Sequence, residues 1–400
     1  MDKLIIDCPG GERRQLYTDS ENRLIYNRAE NLKPVMENVS GGFDGIFDDK
    51  GNLFIAAATA DGGIECLICS EAGERCFTLV SGKNGVGRIS CIRLFCINGR
   101  FSLWYCLEYD SRVLLVNQFF DGSGQTEAPF AVDTLSRKKC FSVCCDNDYN
   151  THVFYKDKDG KSRYLTYRWN IKKFEARSSE LFDIEDAVSI SSISDGRDIH
   201  IVFVAKRSDY YGVYYKKIGS DSEAVLDFGV GAGCRASVSA AGDKVCVCWS
   251  DGSESCECIS RDCGKSFEKA RKINPLKGGK NILCGYRSSK NSLCLHTNRC
   301  IYSEGTGKLL HEKEIISDTE KSFTKDNDMG KEIGDYSKKN MSELKVRIDL
   351  AARLDSIETQ LMKIVCILEE VLPDFRCNSA EPEEKAVLSD FNGGNDCETV

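Results

Sequence analysis

Ser260, Asp262, Gly264 and Phe267, in the run SRDCGKSF, set a hydroxyl and a carboxylate two positions apart beside a glycine and an aromatic. That spacing suits a catalytic loop, a metal loop or a tight turn, and the surrounding pattern has to choose. Other candidates are weaker on chemical grounds. Cys66 and Cys69 in CLIC have the gap of a zinc-ligand pair, but a structural zinc site wants a second such pair or histidines. The chain has four histidines, none close by, and no second such cysteine motif. DNDYN at 146–150 offers oxygen ligands but does not continue to the closing glutamate of a calcium loop. GKNGVGR at 82–88 lacks the Lys-Ser/Thr pair of a phosphate loop. Asp44, Asp48 and Asp49, like the acids of DKDG (157–160) and SDGRD (194–198), read as solvated turn residues. His152, His200 and His296 read as packed or edge strand residues. No metal and no cofactor is expected.

The elements that must position these residues are short strands. From the N-terminus to about residue 318, β-rich runs alternate with turns of Gly, Asp, Asn and Lys. First strands begin near 43, 89, 139, 188, 235 and 281, a spacing of about 46 to 50 residues, the range of a propeller blade. A further unit fits at the start, KLIID, RQLYTD, RLIYNR and LKPVM, so the expected fold is all-β, a seven-bladed β-propeller, with six blades possible. A single four-stranded sheet cannot bury both faces, whereas a ring gives each sheet two neighbours. Many of the 22 cysteines alternate within apolar runs, as Cys246 and Cys248 do in KVCVCWS and Cys256 and Cys258 in SCECIS. Residues two apart on a strand share a face, and thiols there pack as small hydrophobes.

SRDCGKSF falls between the third and fourth strands of the sixth of the units that begin at the chain start. It resembles the Asp-box (BNR repeat) of the sialidase-like β-propeller superfamily, with Phe267 where that pattern has tryptophan. The resemblance is at the level of fold and implies that Ser260, Asp262, Gly264 and Phe267 build a hairpin turn away from any catalytic centre. Sialidases hold a substrate carboxylate with three arginines beside a tyrosine nucleophile. Arg93, Arg235 and Arg287, the last preceded by Tyr286, lie on or beside first strands and are the corresponding channel candidates. No catalytic residue is assigned, since no spacing fixes a triad and the Arg-Ile-Pro stretch of the family is missing from GGERRQLYTD.

Beyond the propeller (1–318) the rhythm stops. Residues 319–340 read as a polar linker, and 341–372 as a helix with a heptad seam of Leu350, Leu354, Ile357, Leu361, Ile364, Leu368 and Val371. Residues 373–400 read as an acidic disordered tail. The seam leads to an expectation of self-association through this coiled coil. The formal charge of -8 and pI near 5.4 argue against nucleic acid. The absence of a signal peptide or a long apolar run leads to an expected cytoplasmic protein with no membrane contact. The function expected is a non-enzymatic binding or scaffold protein for a protein or peptide ligand. The alternative is a sialidase-like glycoside hydrolase acting at the central channel.

Overall fold

A computed structural model describes residues 3–309, apart from 9–11, 29–30, 83–86, 98, 178–183, 185, 221, 275–278, 289–295, 298 and 305–307. The chain divides into two units, Met1–Phe323 and Thr324–Val400, and every described residue belongs to the first.

The strands come in seven groups. The first is β1 (Lys3–Asp7), β2 (Arg13–Thr18), β3 (Leu24–Arg28) and β4 (Asn31–Met36). The second is β5 (Val39–Phe47), β6 (Leu53–Thr59), β7 (Ile64–Ser70) and β8 (Gly73–Val80). The third is β9 (Arg88–Ile97), β10 (Arg100–Tyr109), β11 (Arg112–Asp121) and β12 (Phe130–Leu135). The fourth is β13 (Phe141–Cys145), β14 (Thr151–Lys156), β15 (Ser162–Arg168) and β16 (Lys173–Ala176). The fifth is β17 (Ala187–Ser194), β18 (Ile199–Arg207), β19 (Tyr210–Lys217) and β20 (Glu223–Val230). The sixth is β21 (Arg235–Ala241), β22 (Lys244–Ser250), β23 (Ser255–Ser260) and β24 (Arg271–Lys272). The last is β25 (Asn281–Ser288), β26 (His296–Thr297), β27 (Arg299–Ser303) and β28 (Lys308–Leu309).

These groups make six sheets, so the propeller is six-bladed and the expected count of seven is corrected. The last group has no sheet of its own. Its inner strand β25 runs parallel to β1, Leu4 opposite Gly285 and Ile6 opposite Arg287, and the two groups merge into one seven-stranded sheet. The short β26 leaves that group and pairs with β21 of the sixth. The ends of the ring are thus joined by main-chain bonds as well as by packing.

The burial pattern explains why these sequences make blades. Second strands of the second to sixth groups are buried on both faces: β6 and β14 are buried along almost their whole length, whereas the outer β8 is largely exposed and β16 and β20 are at most half-buried. Alternate side chains of a second strand feed opposite neighbours. Phe54 and Ala56 pack toward the third group, Ile55 and Ala57 toward the first. Likewise Val202 and Val204 pack toward the sixth group, and Phe203 toward the fourth. The five largest hydrophobic clusters among the described residues are therefore each an interface between two consecutive groups.

The turns follow one chemical rule. Asp19, Asp48, Asp121, Asp146 and Asp157 each accept the N–H groups two and four residues on through one carboxylate oxygen. The residue three on (Asn22, Gly51, Gly124, Tyr149 or Gly160) has φ between 58° and 92°. This is a three-residue hairpin whose last position is left-handed, with the carboxylate closing the loop.

No helix occurs among the described residues, and none is long and apolar enough to cross a membrane. The expected coiled coil at 341–372, with its seam from Leu350 to Val371, lies outside the described residues. The expected self-association therefore has no element here to carry it, and a homo-oligomer is not supported.

Candidate functional site

The inner strands converge on a central cavity of about 620 Å³, with walls from β1, β5, β9, β13, β17, β21, β25 and β27. What holds the wall together is a set of side chains that replace main-chain pairing between neighbouring blades. Asp44 on β5 accepts the Leu94 N–H of β9 at 3.0 Å, and Ser142 on β13 accepts the Ser192 N–H of β17 at 2.9 Å. Both bridges span 50 residues, the repeat length itself.

Asp44 departs from its expected turn role. It is 3 % exposed, whereas Asp48 and Asp49 do occupy the following turn. The pair Gly41–Gly42 interrupts the β5 register and lets the strand approach β9 closely. Gly41, at φ 81°, would set a Cβ 2.1 Å from the Ile89 carbonyl oxygen, so only glycine fits. That approach carries Asp44 inward, where Arg287 donates to it at 2.7 Å. Arg287 also donates to the carbonyls of Gly45 at 3.1 Å and Tyr286 at 3.0 Å. The ion pair thus ties β25 to β5 and helps close the ring.

Arg93, Arg235 and Arg287, singled out in the sequence, all line this cavity. Arg93 donates to the Ile92 carbonyl at 2.7 Å, and Arg235, the first residue of β21, is exposed. Tyr286 is not among the lining residues. It points into the packing between β25 and β1, where its hydroxyl donates to Asp7 at 2.8 Å. Strand alternation is the reason, since neighbours in β25 face opposite sides. Sequence reasoning missed Lys3, Lys280 and Arg299, which also line the cavity. Arg299 begins β27 and so lacks the first-strand signal that flagged the other three, whereas Lys280, directly ahead of β25, carries it. Lys3, in β1, was overlooked although it lies on a first strand. Six basic side chains thus face three acidic ones, Asp44, Asp251 and Glu304. Asp251 is engaged by the N–H groups of Ser253 and Glu254, and Glu304 lies 3.4 Å from Lys3.

Ser260, Asp262, Gly264 and Phe267 lie away from the cavity, in the turn between β23 and β24. Asp262 accepts the Ser266 N–H at 2.9 Å and the Ser260 hydroxyl at 2.7 Å, while Ser260 accepts the Gly264 N–H at 2.8 Å. The Ser266 hydroxyl and N–H and the Ser260 hydroxyl together hold the Asp262 carboxyl well below the usual carboxylate range. Phe267 meets Tyr215 of the preceding blade edge-on, ring centres 4.7 Å apart. The arrangement is a turn and an inter-blade contact.

Neither metal candidate holds together as a site. Cys66 and Cys69 are three apart on β7 and so project to opposite faces. Asp195, Asp198 and His200 bring ligand atoms within 4.8 Å of one another, but their atoms are already engaged. His200 bonds Tyr215 at 2.7 Å and Asp195 at 3.2 Å, and Lys217 donates to Asp198 at 3.1 Å. The fourth blade repeats the motif with His152 between Tyr164 at 2.8 Å and Asp146 at 2.9 Å. We read it as a buried polar lock between strands. None of the described cysteines is in a disulfide.

No protein-family profile matches the chain, and no characterised protein sequence matches it. Among solved structures it is similar to AofleA from Arthrobotrys oligospora, at 12% identity and a TM-score of 0.44, over 68% of this chain and 82% of that one. It is similar at 13% identity and 0.44 to the Aleuria aurantia lectin, described as a six-bladed β-propeller with a novel fucose recognition mode, over 69% and 96%. A prolyl endopeptidase follows at 14% and 0.40, over 62% of this chain and 38% of that one. At these values neither ligand nor activity transfers. The sialidase-like, Asp-box assignment is nevertheless corrected: no family profile matches the chain, and the structure named here that is described as a six-bladed β-propeller is a lectin. No tyrosine is among the described residues that line the cavity.

Proposed function

We propose that this chain is a binding module that takes a small carboxylate- or phosphate-bearing ligand into its central channel. One observation carries the reading: six basic side chains against three acidic ones around one cavity, in a chain whose formal charge is -8. The Arg287 charge is already matched by Asp44. Arg235, Lys280 and Arg93 supply the donors that a bound anion would engage, in a cavity whose volume of about 620 Å³ suits a small ligand. Guanidinium groups bind carboxylate and phosphate through paired N–H donors, and low-dielectric walls strengthen that attraction. A cytoplasmic, reducing setting suits the reading, because buried thiols without disulfides are stable there.

Citrate and inorganic phosphate are the probes, titrated calorimetrically into the full chain at low and high salt. The expected result is saturable binding that weakens with salt. Arg235→Gln should lower affinity about tenfold, the value of one lost charge-assisted hydrogen bond. Absence of saturable binding of either anion at millimolar concentration would refute the reading, as would binding indifferent to Arg235→Gln.

A further inference from the structure

Cys91 is the one cysteine among the described strands whose backbone, burial and neighbours all depart from the buried-thiol pattern. It sits at a bulge in β9, where the register against β10 shifts between Trp104 and Cys106. Its φ of 58° is left-handed, a conformation that non-glycine residues avoid and that concentrates at functional positions. In a regular strand its side chain would project opposite to that of Ser90, which pairs with Cys106. In this bulge Cys91 instead packs against the buried cluster that contains Cys106, and it also lines the central cavity. Cys106 is fully buried against Trp104 and Val153.

The charges around the pair favour a thiolate at Cys91. The Cys106 thiol donates to it, which is the largest effect, and this outweighs partial burial. Arg93 and Ser90 on the same strand and Lys139 ahead of β13 add to it, holding the Cys91 thiol below the ordinary thiol range. Lys139 itself donates to Ser90 at 3.1 Å and is paired with Glu108 of β10. Cys106 is displaced in the other direction by the Cys91 thiolate and by burial.

We propose that Cys91 and Cys106 are a hydroperoxide-sensitive dithiol in the channel wall, with Cys91 as the nucleophile and Cys106 as the resolving thiol. The proposal needs no anion in the channel. The Cys91 thiolate attacks one peroxide oxygen, the O–O bond breaks, and the leaving hydroxide takes a proton from solvent to become water. Cys91 is then a sulfenic acid, oxidised by two electrons. The Cys106 sulfur attacks that sulfur, and its proton leaves with the sulfenic hydroxyl as a second water while the S–S bond forms. Two thiols and one hydrogen peroxide thus give one disulfide and two waters, and a thiol reductant reverses the change.

Exposure and thiolate character make opposite forecasts, which gives the test. Cys76 is exposed, but burial of its sulfur and the Glu65 carboxylate raise its pKa. Full-length protein is pulsed with iodoacetamide at pH 6.5 and the labelled peptides are quantified by mass. Cys91 should alkylate about tenfold faster than Cys76, because its thiol is shifted down and that of Cys76 up. Equimolar hydrogen peroxide should then link tryptic peptides ISCIR and FSLWYCLEYDSR with loss of two hydrogen atoms. Cys106→Ser should leave a sulfenic acid on Cys91 that dimedone traps. Faster alkylation of Cys76, or a peroxide-induced link joining Cys91 to another cysteine, would overturn the proposal. So would equimolar peroxide that leaves both peptides unlinked. The alkylation arm needs no variant, so a misfolded substitution cannot mask the outcome.

Discussion

Replacing Asp44 by alanine should destabilise this propeller more than almost any other polar change in it. Asp44 and Arg287 form an ion pair with side chains only 4 % and 9 % exposed. Besides Arg287, the carboxylate accepts the N–H groups of Gly45 at 2.9 Å and Leu94 at 3.0 Å. Asp44→Ala therefore removes the carboxylate that pairs with a buried guanidinium and takes away an acceptor of the Gly45 and Leu94 N–H groups. Removing one partner of a buried pair costs about 3–5 kcal/mol. Against a total domain stability of about 5–15 kcal/mol, that is a large fraction. The double variant Asp44→Leu/Arg287→Met removes both charges together and leaves no unmatched ion. It should be less destabilised than the two single changes added, with a coupling of about 2 kcal/mol or more. Urea unfolding followed by tryptophan fluorescence measures both, provided the slopes agree. If Asp44→Ala lies within about 1 kcal/mol of the parent, or if the two changes simply add, then the pair does not close the ring.

Other outcomes follow from the same contacts. Gly41 and Gly160 have nearly the same φ, 81° and 77°, but a Cβ on Gly41 meets the Ile89 carbonyl while one on Gly160 meets nothing. Gly41→Ala should cost about 3 kcal/mol and Gly160→Ala about 1 kcal/mol, so equal midpoints in urea would contradict the close approach. Ser142→Ala removes the acceptor of the Ser192 N–H and should cost about 1–3 kcal/mol; a neutral effect would mean that water substitutes. Burial, the largest cause, holds His152 and His200 below the ordinary histidine range despite Asp146 and Asp195. The unfolded histidines bind protons first, so stability should be full above pH 6.5 and should decline as pH falls below it. His200→Gln should flatten that decline, and a pH-independent midpoint between 7 and 5 would refute the assignment. Asp146 and Asp195 are buried, which raises them, yet hydrogen bonds outweigh this and lower both, so their contribution is lost only at still lower pH.

Strand content, the repeat of about 46 to 50 residues and the packing role of the alternating cysteines were legible in the residues themselves, because each is a local pattern. Two-residue alternation sets which face of a strand is apolar, and β6 and β18 show that rule serving two neighbours at once. The hairpin turns were legible for the same reason, since an aspartate three residues before a left-handed position closes its own loop. Arg93, Arg235 and Arg287 stand out in the sequence because they lie on or beside first strands, whereas Arg299, at the start of β27, has no such signal. What only the tertiary structure decided depends on partners far apart in the chain. The blade count is set by β1 meeting β25, residues some 280 apart, and no local pattern encodes whether they pair or stand separately. Asp44 reads as one more turn carboxylate until β9 and Arg287 surround it. Cys91 reads as one more buried thiol until a bulge in β9 sets it at the channel, against the cluster that contains Cys106. A side chain's charge state is fixed by its neighbours, and closing the ring is what chooses them.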